Sequence, residues 1–183
     1  MPTTQYRLRP ARATDVETLI EHRHRMFSDI GGRTESEIAA HDTRYRRWLR
    51  ARLKRGDLVG QIAETRRGDP AASGCLWFRP DQPRPENLKG DVTPYILSMY
   101  TAPEHRGRGL ASRITRALVA EAEQRGHWQV TLHASPQGRP IYARIGFERR
   151  WEMRYWIDPD IHAAGKRSRS SKTRARSPKV LRR

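Results

Sequence analysis

Two glycines separated by one arginine stand in the segment Arg106-Gly107-Arg108-Gly109-Leu110-Ala111. The apolar run at 95–100 before it predicts a strand buried on both faces, and the amphipathic run at 109–125 predicts a helix. Glycines at a strand-to-helix turn let backbone N–H groups approach an anion, and the helix N-terminus adds unpaired amides with a partial positive charge. The segment therefore predicts a phosphate or pyrophosphate site, with the guanidinium groups of Arg106 and Arg108 beside it.

This segment differs from two well-known nucleotide-binding loops. It lacks the Gly-Lys-Ser/Thr ending of a Walker A loop, and its glycines do not have the Gly-x-Gly-x-x-Gly spacing of a dinucleotide-binding turn. A basic turn of this composition also occurs without any ligand. The glycines and arginines by themselves therefore leave both a phosphate site and a plain surface turn open.

Hydrophobic periodicity predicts ten elements in the order β-α-α-β-β-β-α-β-α-β. We expect strands near 6–9, 58–63, 74–78, 95–100, 130–132 and 151–157, and helices near 15–30, 35–55, 109–125 and 139–145. Thr14 and Glu17 have the spacing of a capping box at the start of the first helix. The strand-helix-strand unit at 95–134 favours a parallel, right-handed crossover within a mixed sheet, so the predicted class is a mixed α/β (α+β) fold.

Length and composition exclude several classes of protein. The chain has 183 residues and a mass of 21.3 kDa, which suits one domain with a tail. No run approaches the 18 apolar residues of a membrane span, and residues 1–6 lack the apolar region of a signal peptide. A single cysteine, Cys75, cannot form an internal disulfide or a cysteine-rich metal site, and we interpret it as a buried strand residue. These features predict a cytoplasmic protein that does not bind membranes.

The positive charge is unevenly distributed along the chain. The net charge is +17, but residues 162–183 carry nine Lys or Arg and no acid, which leaves about +8 on the remainder. Arg greatly outnumbers Lys, a bias that GC-rich coding also produces. We expect a folded domain at 1–157 and a basic tail at 158–183 that lacks the apolar residues needed to fold. The tail makes nucleic-acid binding an alternative for that segment, whereas the domain is not expected to bind nucleic acid.

Two motifs together resemble the GNAT superfamily of N-acetyltransferases. The first is Arg-x-x-Gly-x-Ala at 106–111, after a buried strand and at the start of a helix. The second is a tyrosine, Tyr142, four residues before Gly146-Phe147 at the end of a short helix. The order of elements is also similar to that of the superfamily, and the resemblance covers about residues 5–157. It implies a GNAT fold, in which a central, mostly antiparallel twisted sheet contains a parallel strand-helix-strand unit and is flanked by helices.

The resemblance implies transfer of an acetyl group from acetyl-CoA to a primary amine in a ternary complex. By analogy, the pyrophosphate of the cofactor is held by the backbone amides and guanidinium groups of Arg106, Gly107, Arg108, Gly109, Leu110 and Ala111. Met99, Tyr100 and Thr101 pair with the pantetheine arm, and the Tyr100 amide polarises the thioester carbonyl.

Tyr142 is the residue to which the resemblance assigns chemistry, as the general acid that protonates the departing thiolate. Without the motif it reads as a packed aromatic side chain. Ser135 stands where relatives contact the pantetheine arm, and it is equally well suited to cap the following helix. The general base stays open among His133, a distant glutamate and ordered water, because the strand at 95–101 contains no acid.

The acceptor is the least constrained part of the prediction. The segment 26–43 is acidic in a basic chain, with four carboxylates against Arg33: Asp29, Glu35, Glu37 and Asp42. These acids favour a cationic small-molecule amine, although acids near a helix start are also ordinary surface residues. Protein N-termini or lysines are the alternative acceptors, and a non-catalytic acyl-CoA-binding domain with a nucleic-acid-binding tail is the alternative function. The resemblance leaves both a monomer and a homodimer open.

Overall fold

The computed structural model describes residues 6–83, 85, 91–153 and 155. The described strands are β1 (Tyr6–Pro10), β2 (Leu58–Thr65), β3 (Pro70–Pro80), β4 (Val92–Thr101) and β5 (Thr131–Leu132). The described α-helices are α1 (Val16–Ile30), α2 (Glu35–Ala39), α3 (Asp42–Arg55), α4 (Leu110–Gln124) and α5 (Arg139–Ile145). Short 3₁₀ turns at Ala13–Asp15 and Pro103–His105 precede α1 and α4.

The five strands form one mixed sheet in the order β1-β2-β3-β4-β5. The first three neighbouring pairs are antiparallel, and β4 pairs with β5 in parallel. A parallel pair needs a crossover connection, and α4 supplies it. The predicted mixed sheet with a parallel strand-helix-strand unit is therefore confirmed.

Helices cover both faces of the sheet. Helix α4 buries one residue per turn against one face, and these residues are Leu110, Ile114, Leu118 and Ala122. Helices α1 and α3 cover the other face with a second cluster that contains Val16, Leu19, Ile20 and Leu49. Each fully buried leucine or isoleucine contributes about 1.5–3 kcal/mol to folding stability relative to an exposed one. The apolar residues that recur with the helical period therefore stabilise the packing of these helices on the sheet.

Two predictions about the first helices are wrong. Thr14 and Glu17 do not form a capping box, because α1 begins only at Val16 and the Arg12 N–H donates to Asp15 Oδ2 at 2.6 Å. Glu17 instead accepts hydrogen bonds from Arg46 of α3. The predicted helix at 35–55 is two helices, since the chain leaves helical geometry between α2 and α3.

The β4 region and the C-terminal region also differ from the expectation. Within the predicted run 95–100, Ile96 and Tyr100 are buried but the other four side chains are only half-buried, so this part of β4 is not covered completely on both faces. Residues 151–153 and 155 form no strand, and Trp151 and Met153 are 86% and 96% exposed. Residues 154 and 156–183, which include the rest of the predicted strand and the basic tail, lie outside the described residues.

Two further sequence expectations concern Cys75 and membrane spans. Cys75 lies in β3 with 1% exposure, and burial raises the pKa of its thiol to about 12. The thiolate needed for nucleophilic chemistry is therefore strongly disfavoured. Within the described part of the chain, no helix combines the length and the apolar composition needed to cross a bilayer.

Candidate active site

A β-bulge in β4 shapes the centre of the site. Tyr100 pairs with Ser73 and Leu97 pairs with Cys75, so two residues of β4 face a single residue of β3, and Ser98 has a φ of +53°. The extra residue reverses the alternation of side chains beyond it. Leu97 and Tyr100 consequently both face α1 and α3, whereas Met99 packs on the α4 face. No pattern in the sequence predicts this bulge.

Gly74 permits the close packing at the bulge. A Cβ atom at this position would lie 2.1 Å from Sδ of Met99. Any side chain at position 74 would therefore displace Met99, one of the three residues predicted to contact the pantetheine arm. The hydroxyl of Tyr45 in α3 lies 3.3 Å from that of Ser98 and supports the bulge from the other face.

A wedge-shaped opening separates β4 from β5 from Leu97, the start of the bulge, onward. The two strands pair at Tyr95–Thr131 and at Ile96–Leu132, and then β5 ends while β4 continues to Thr101. On its β5 side, the described chain offers residues 97–101 no strand partner. This opening contains Met99, Tyr100 and Thr101, where the sequence predicted the pantetheine contacts.

The glycine-rich loop joins β4 to α4 with its backbone exposed. Gly107 and Gly109 both have φ of +74°, and a Cβ atom at either position would meet nothing within 4 Å. The first helical hydrogen bond runs from the Arg113 N–H to the Gly109 carbonyl at 3.0 Å. The amides of Leu110, Ala111 and the next residue therefore lack an intrahelical acceptor. Open space, free amides and the positive end of α4 together fit a pyrophosphate.

Arg106 and Arg108 have different surroundings in this loop. Arg106 donates from Nε to the Thr101 carbonyl at 3.0 Å and from Nη2 to Asp29 at 2.5 Å, so it connects the end of β4 with the end of α1. The Arg108 guanidinium lies 5.9 Å from the centre of the Tyr6 ring. Both cations lie at the loop, and the Asp29 carboxylate offsets part of the charge of Arg106.

Ser135 and Tyr142 lie on either side of the start of α5. The Gly138 N–H donates to Ser135 Oγ at 3.1 Å within the turn that precedes α5, and the first turn of α5 itself has no side-chain cap, so Ser135 does not cap this helix. The Tyr142 ring is half-buried and packs edge-on against Phe147, with centroids 5.9 Å apart. Burial raises the pKa of the Tyr142 phenol, so this group keeps its proton at neutral pH. A protonated phenol is the form that a general acid requires.

A cavity of about 670 Å³ lies beside Tyr100, between α1 and the start of α3. Its lining contains two basic side chains, those of His24 and Arg25, and five carboxylates: Glu17, Glu21, Asp29, Glu35 and Asp42. Three of the four acids singled out in the sequence are thus brought together here. Glu37 is not part of the lining, because its carboxylate caps α2 by accepting from the Thr34 N–H at 2.6 Å.

His24 organises the acids of this cavity. Its Nε2 contacts the Glu35 carboxylate, and its Nδ1 lies 3.3 Å from Asp42 Oδ2. The Glu35 carboxylate, followed by that of Asp42, raises the pKa of His24. The sequence did not single out His24, although its position two residues before the acidic segment 26–43 was a usable signal.

His22 is a second residue of this region that the sequence did not single out. It is 4% exposed, its Nδ1 lies 2.8 Å from Ser73 Oγ, and its ring centroid lies 4.9 Å from that of Tyr100. Burial lowers the pKa of this imidazole, so His22 is neutral at pH 7. It holds the Tyr100 ring between α1 and the sheet, and no sequence pattern distinguishes it from a surface histidine.

The fold and the loop define an α/β protein whose glycine-rich strand-to-helix turn fits an anion, and comparisons with known proteins agree with this class. Residues 87–155 match the family described as "Acetyltransferase (GNAT) domain". A GCN5-related N-acetyltransferase from Ralstonia eutropha JMP134 is 34% identical, with a TM-score of 0.76 over 83% of this chain and 98% of that chain. A predicted acetyltransferase from Clostridium acetobutylicum, solved with acetyl-CoA, is 30% identical, with a TM-score of 0.72 over 84% of this chain and 94% of that chain.

Curated proteins match shorter segments. A probable glucosamine 6-phosphate N-acetyltransferase from Oryza sativa subsp. japonica is 34% identical over 76 residues, which are 42% of this chain and 43% of that protein. The chain spans about half the length of the curated relatives that it matches. The two structural matches, which cover more than 80% of this chain and more than 90% of each relative, show that the chain belongs to the GNAT family of acetyltransferases, as its two motifs predicted. This family uses acetyl-CoA.

Proposed function

We propose that this protein transfers the acetyl group of acetyl-CoA to a primary amine of a small cationic molecule. The wedge between β4 and β5, which continues into the glycine-rich loop, carries this proposal. It combines a polar strand edge with a helix N-terminus, the two features that an extended thioester with a pyrophosphate needs. Acetyl-CoA supplies an activated acetyl thioester, whose carbonyl carbon the acceptor amine attacks.

The loop and β4 supply the cofactor contacts in this proposal. Backbone amides of Gly107, Gly109, Leu110 and Ala111 bind the pyrophosphate, and Arg106 and Arg108 contribute positive charge. Met99, Tyr100 and Thr101 offer backbone groups to the pantetheine arm, with the Tyr100 amide donating to the thioester carbonyl. Ser135, in the turn that precedes α5, borders the same opening and contacts the pantetheine arm.

Tyr142 acts as the general acid. Its phenol is protonated at neutral pH, because burial disfavours the phenolate. A phenol held by Phe147 is oriented before the reaction, and it donates its proton to the departing sulfur as the C–S bond breaks. Both substrates are bound together, so no protein nucleophile is required.

The acidic cavity receives the acceptor in this proposal. Tyr100 contributes to its lining, so the cavity adjoins the opening of β4. Carboxylates around a cavity raise the local concentration of cations and orient ammonium groups. A small amine with a second positive charge is therefore the expected class of acceptor. The rice relative is named for a small amino-sugar acceptor, which also favours a small molecule.

A thiol-release assay with acetyl-CoA and a panel of amines tests the proposal. The panel contains diamines, amino sugars, monoamines and peptides with free N-termini, and the protein's own thiol does not interfere because Cys75 is buried. We expect turnover that is fastest with small dications. A Tyr142→Phe variant should lose about a hundredfold in kcat and keep its acetyl-CoA affinity, since it lacks only the acidic proton.

Tyr155→Phe is the matched control, because Tyr155 is 89% exposed and has no place in the proposed site. Preference for peptide amines would replace the small-molecule proposal with a protein acetyltransferase. Binding of acetyl-CoA without turnover on any amine would indicate a non-catalytic acyl-CoA-binding domain.

A further inference from the structure

Three titratable side chains form a hydrogen-bonded chain at the closed end of the wedge. The Tyr95 hydroxyl of β4 contacts Nδ1 of His133, and Nε2 of His133 lies 2.5 Å from the Glu152 carboxylate. The Tyr95 and His133 ring centroids are 5.6 Å apart. The proposed function uses none of these groups, and the reaction needs a group that accepts a proton from the amine.

The topology places these three side chains at the closed end of the wedge, toward which the acetyl group points when the Tyr100 amide holds the thioester carbonyl. The pyrophosphate site lies beyond Thr101, at the open end, so an arm that enters there runs along β4 toward the last β4–β5 pair. Leu97 and His133 are the first residues beyond that pair. At about 3.3 Å per strand residue, Leu97 lies about 13 Å from Thr101. The reactive end of an extended arm therefore points toward His133 and Tyr95.

The same residues lie on the face of the sheet from which the acceptor comes. Tyr95 pairs with Trp77 of β3, and directly paired residues share a face. Trp77 packs with the cluster of α1 and α3, and the acidic cavity is on that face. His133, two residues after the Tyr95 partner Thr131, projects to the same side.

The hydrogen bonds fix which atom can accept a proton. A carboxylate only accepts, so Nε2 of His133 carries a hydrogen toward Glu152, and Nδ1 accepts from the Tyr95 hydroxyl. Arg79 places its guanidinium carbon 4.8 Å from the centre of the Tyr95 ring, where it stabilises negative charge that develops on the phenol. Donation of its proton to His133 makes the Tyr95 oxygen a better proton acceptor than an isolated phenol, whereas Arg79 favours the loss of the phenol proton to His133.

We propose that Tyr95 accepts the proton of the acceptor amine and passes its own proton to His133. Glu152 is a positioning residue that orients His133. This inference rests on the proposed function. As the N–C bond forms and the C–S bond breaks, the amine proton moves to the Tyr95 oxygen and the Tyr95 proton moves to Nδ1 of His133. Glu152 balances the imidazolium, and Tyr142 protonates the thiolate. His133, whose side chain is 48% exposed, then returns its proton to water while Tyr142 is reprotonated, so the cycle consumes no other reactant.

Four variants test this proton-accepting group of side chains, and kcat and acetyl-CoA affinity are measured for each. Tyr95→Phe and His133→Gln should each lose about a hundredfold in kcat, and Glu152→Gln about tenfold, while the acetyl-CoA dissociation constant changes less than twofold. Added imidazole should restore part of the activity of a His133→Ala variant. His127→Gln, beside Phe78 at the other end of α4, is the control and should keep wild-type kcat.

A spectroscopic measurement on the protein alone tests the arrangement without turnover. Nitrogen-15 NMR at pH 8 should show His133 protonated at Nε2, and Glu152→Gln should weaken that preference. Protonation at Nδ1, or wild-type kcat in Tyr95→Phe or His133→Gln, would overturn the proton-accepting chain and leave the acetyltransferase function intact. Absence of amine-dependent thiol release from the wild type would refute the proposed function and this inference together.

Discussion

Arg106 of the glycine-rich loop forms an ion pair with Asp29 in the last turn of α1, with Nη2 and Oδ2 2.5 Å apart. The pair connects the proposed cofactor loop with the acidic cavity, because Asp29 also lines that cavity. Both side chains are about half exposed, so the pair contributes less than about 1 kcal/mol to folding stability. The ion pair therefore matters mainly for binding, because Arg106 and Asp29 contribute to the local charge that acetyl-CoA and the acceptor amine encounter.

Replacing Asp29 by Asn removes a negative charge next to the proposed pyrophosphate site. We expect acetyl-CoA to bind severalfold more tightly to Asp29→Asn at low salt, with the difference shrinking as salt screens the charge. Calorimetric titration at two salt concentrations measures this effect. Glu123→Gln removes the same charge about 20 Å away along α4 and serves as the control. Equal affinities for Asp29→Asn and wild type at low salt would contradict the coupling.

Glu35 and Glu37 form a matched pair for testing the acceptor cavity. Both belong to the first turn of α2, but Glu35 lines the cavity and Glu37 caps the helix. Glu35→Gln should raise KM for a dicationic acceptor severalfold, since it removes one attracting carboxylate, and Glu37→Gln should not. Steady-state kinetics with a diamine measure both. A KM that rises equally in the two variants would show that general surface charge, rather than this cavity, attracts the acceptor.

His24 should stabilise the folded protein at low pH and lose this effect as the pH rises. Its partners Glu35 and Asp42 raise its pKa in the folded protein. The charged imidazole therefore stabilises the fold at pH values below its pKa in the unfolded chain, and this stabilisation is lost as pH rises through the raised folded pKa. His24→Gln should lower the free energy of unfolding by less than about 1 kcal/mol at pH 5.5 and leave it unchanged at pH 8.5. Urea unfolding at both pH values measures this, and an equal loss at the two values would argue against the ion pairs.

The sequence predicted the parts of the fold that repeat locally. The α4 stripe, the hairpin at Gly68 and the short helix before Gly146-Phe147 follow from periodicity and turn residues, and the structure contains all three. The motif at 106–111 was sufficient to place the loop between a strand and a helix. These features depend on neighbouring residues, which is the information that a single sequence contains.

Other features depend on tertiary contacts that a single sequence does not reveal. The β4 bulge arises where Met99 packs over Gly74 of β3, and neither residue is unusual by itself. The first helix begins late because Arg9 of β1 holds the Asp15 carboxylate with contacts of 2.7 and 2.8 Å. The contact between His133 and Glu152 joins residues 19 positions apart that belong to no common motif.

The proposed acetyltransferase function depends on the glycine-rich loop as the acetyl-CoA site. Calorimetric titration with acetyl-CoA is the most direct test of that site. Wild type should bind one acetyl-CoA per chain in a saturable manner, and ADP should bind much more weakly. Gly109→Glu should abolish this binding, because its side chain projects into the open space before the loop and adds a negative charge. Gly56→Glu is the matched control, since Gly56 has the same φ of +74° and an equally open Cβ position. If acetyl-CoA binds no better than ADP, or if the two glutamate variants bind it equally well, the loop is not a cofactor site and the account is wrong.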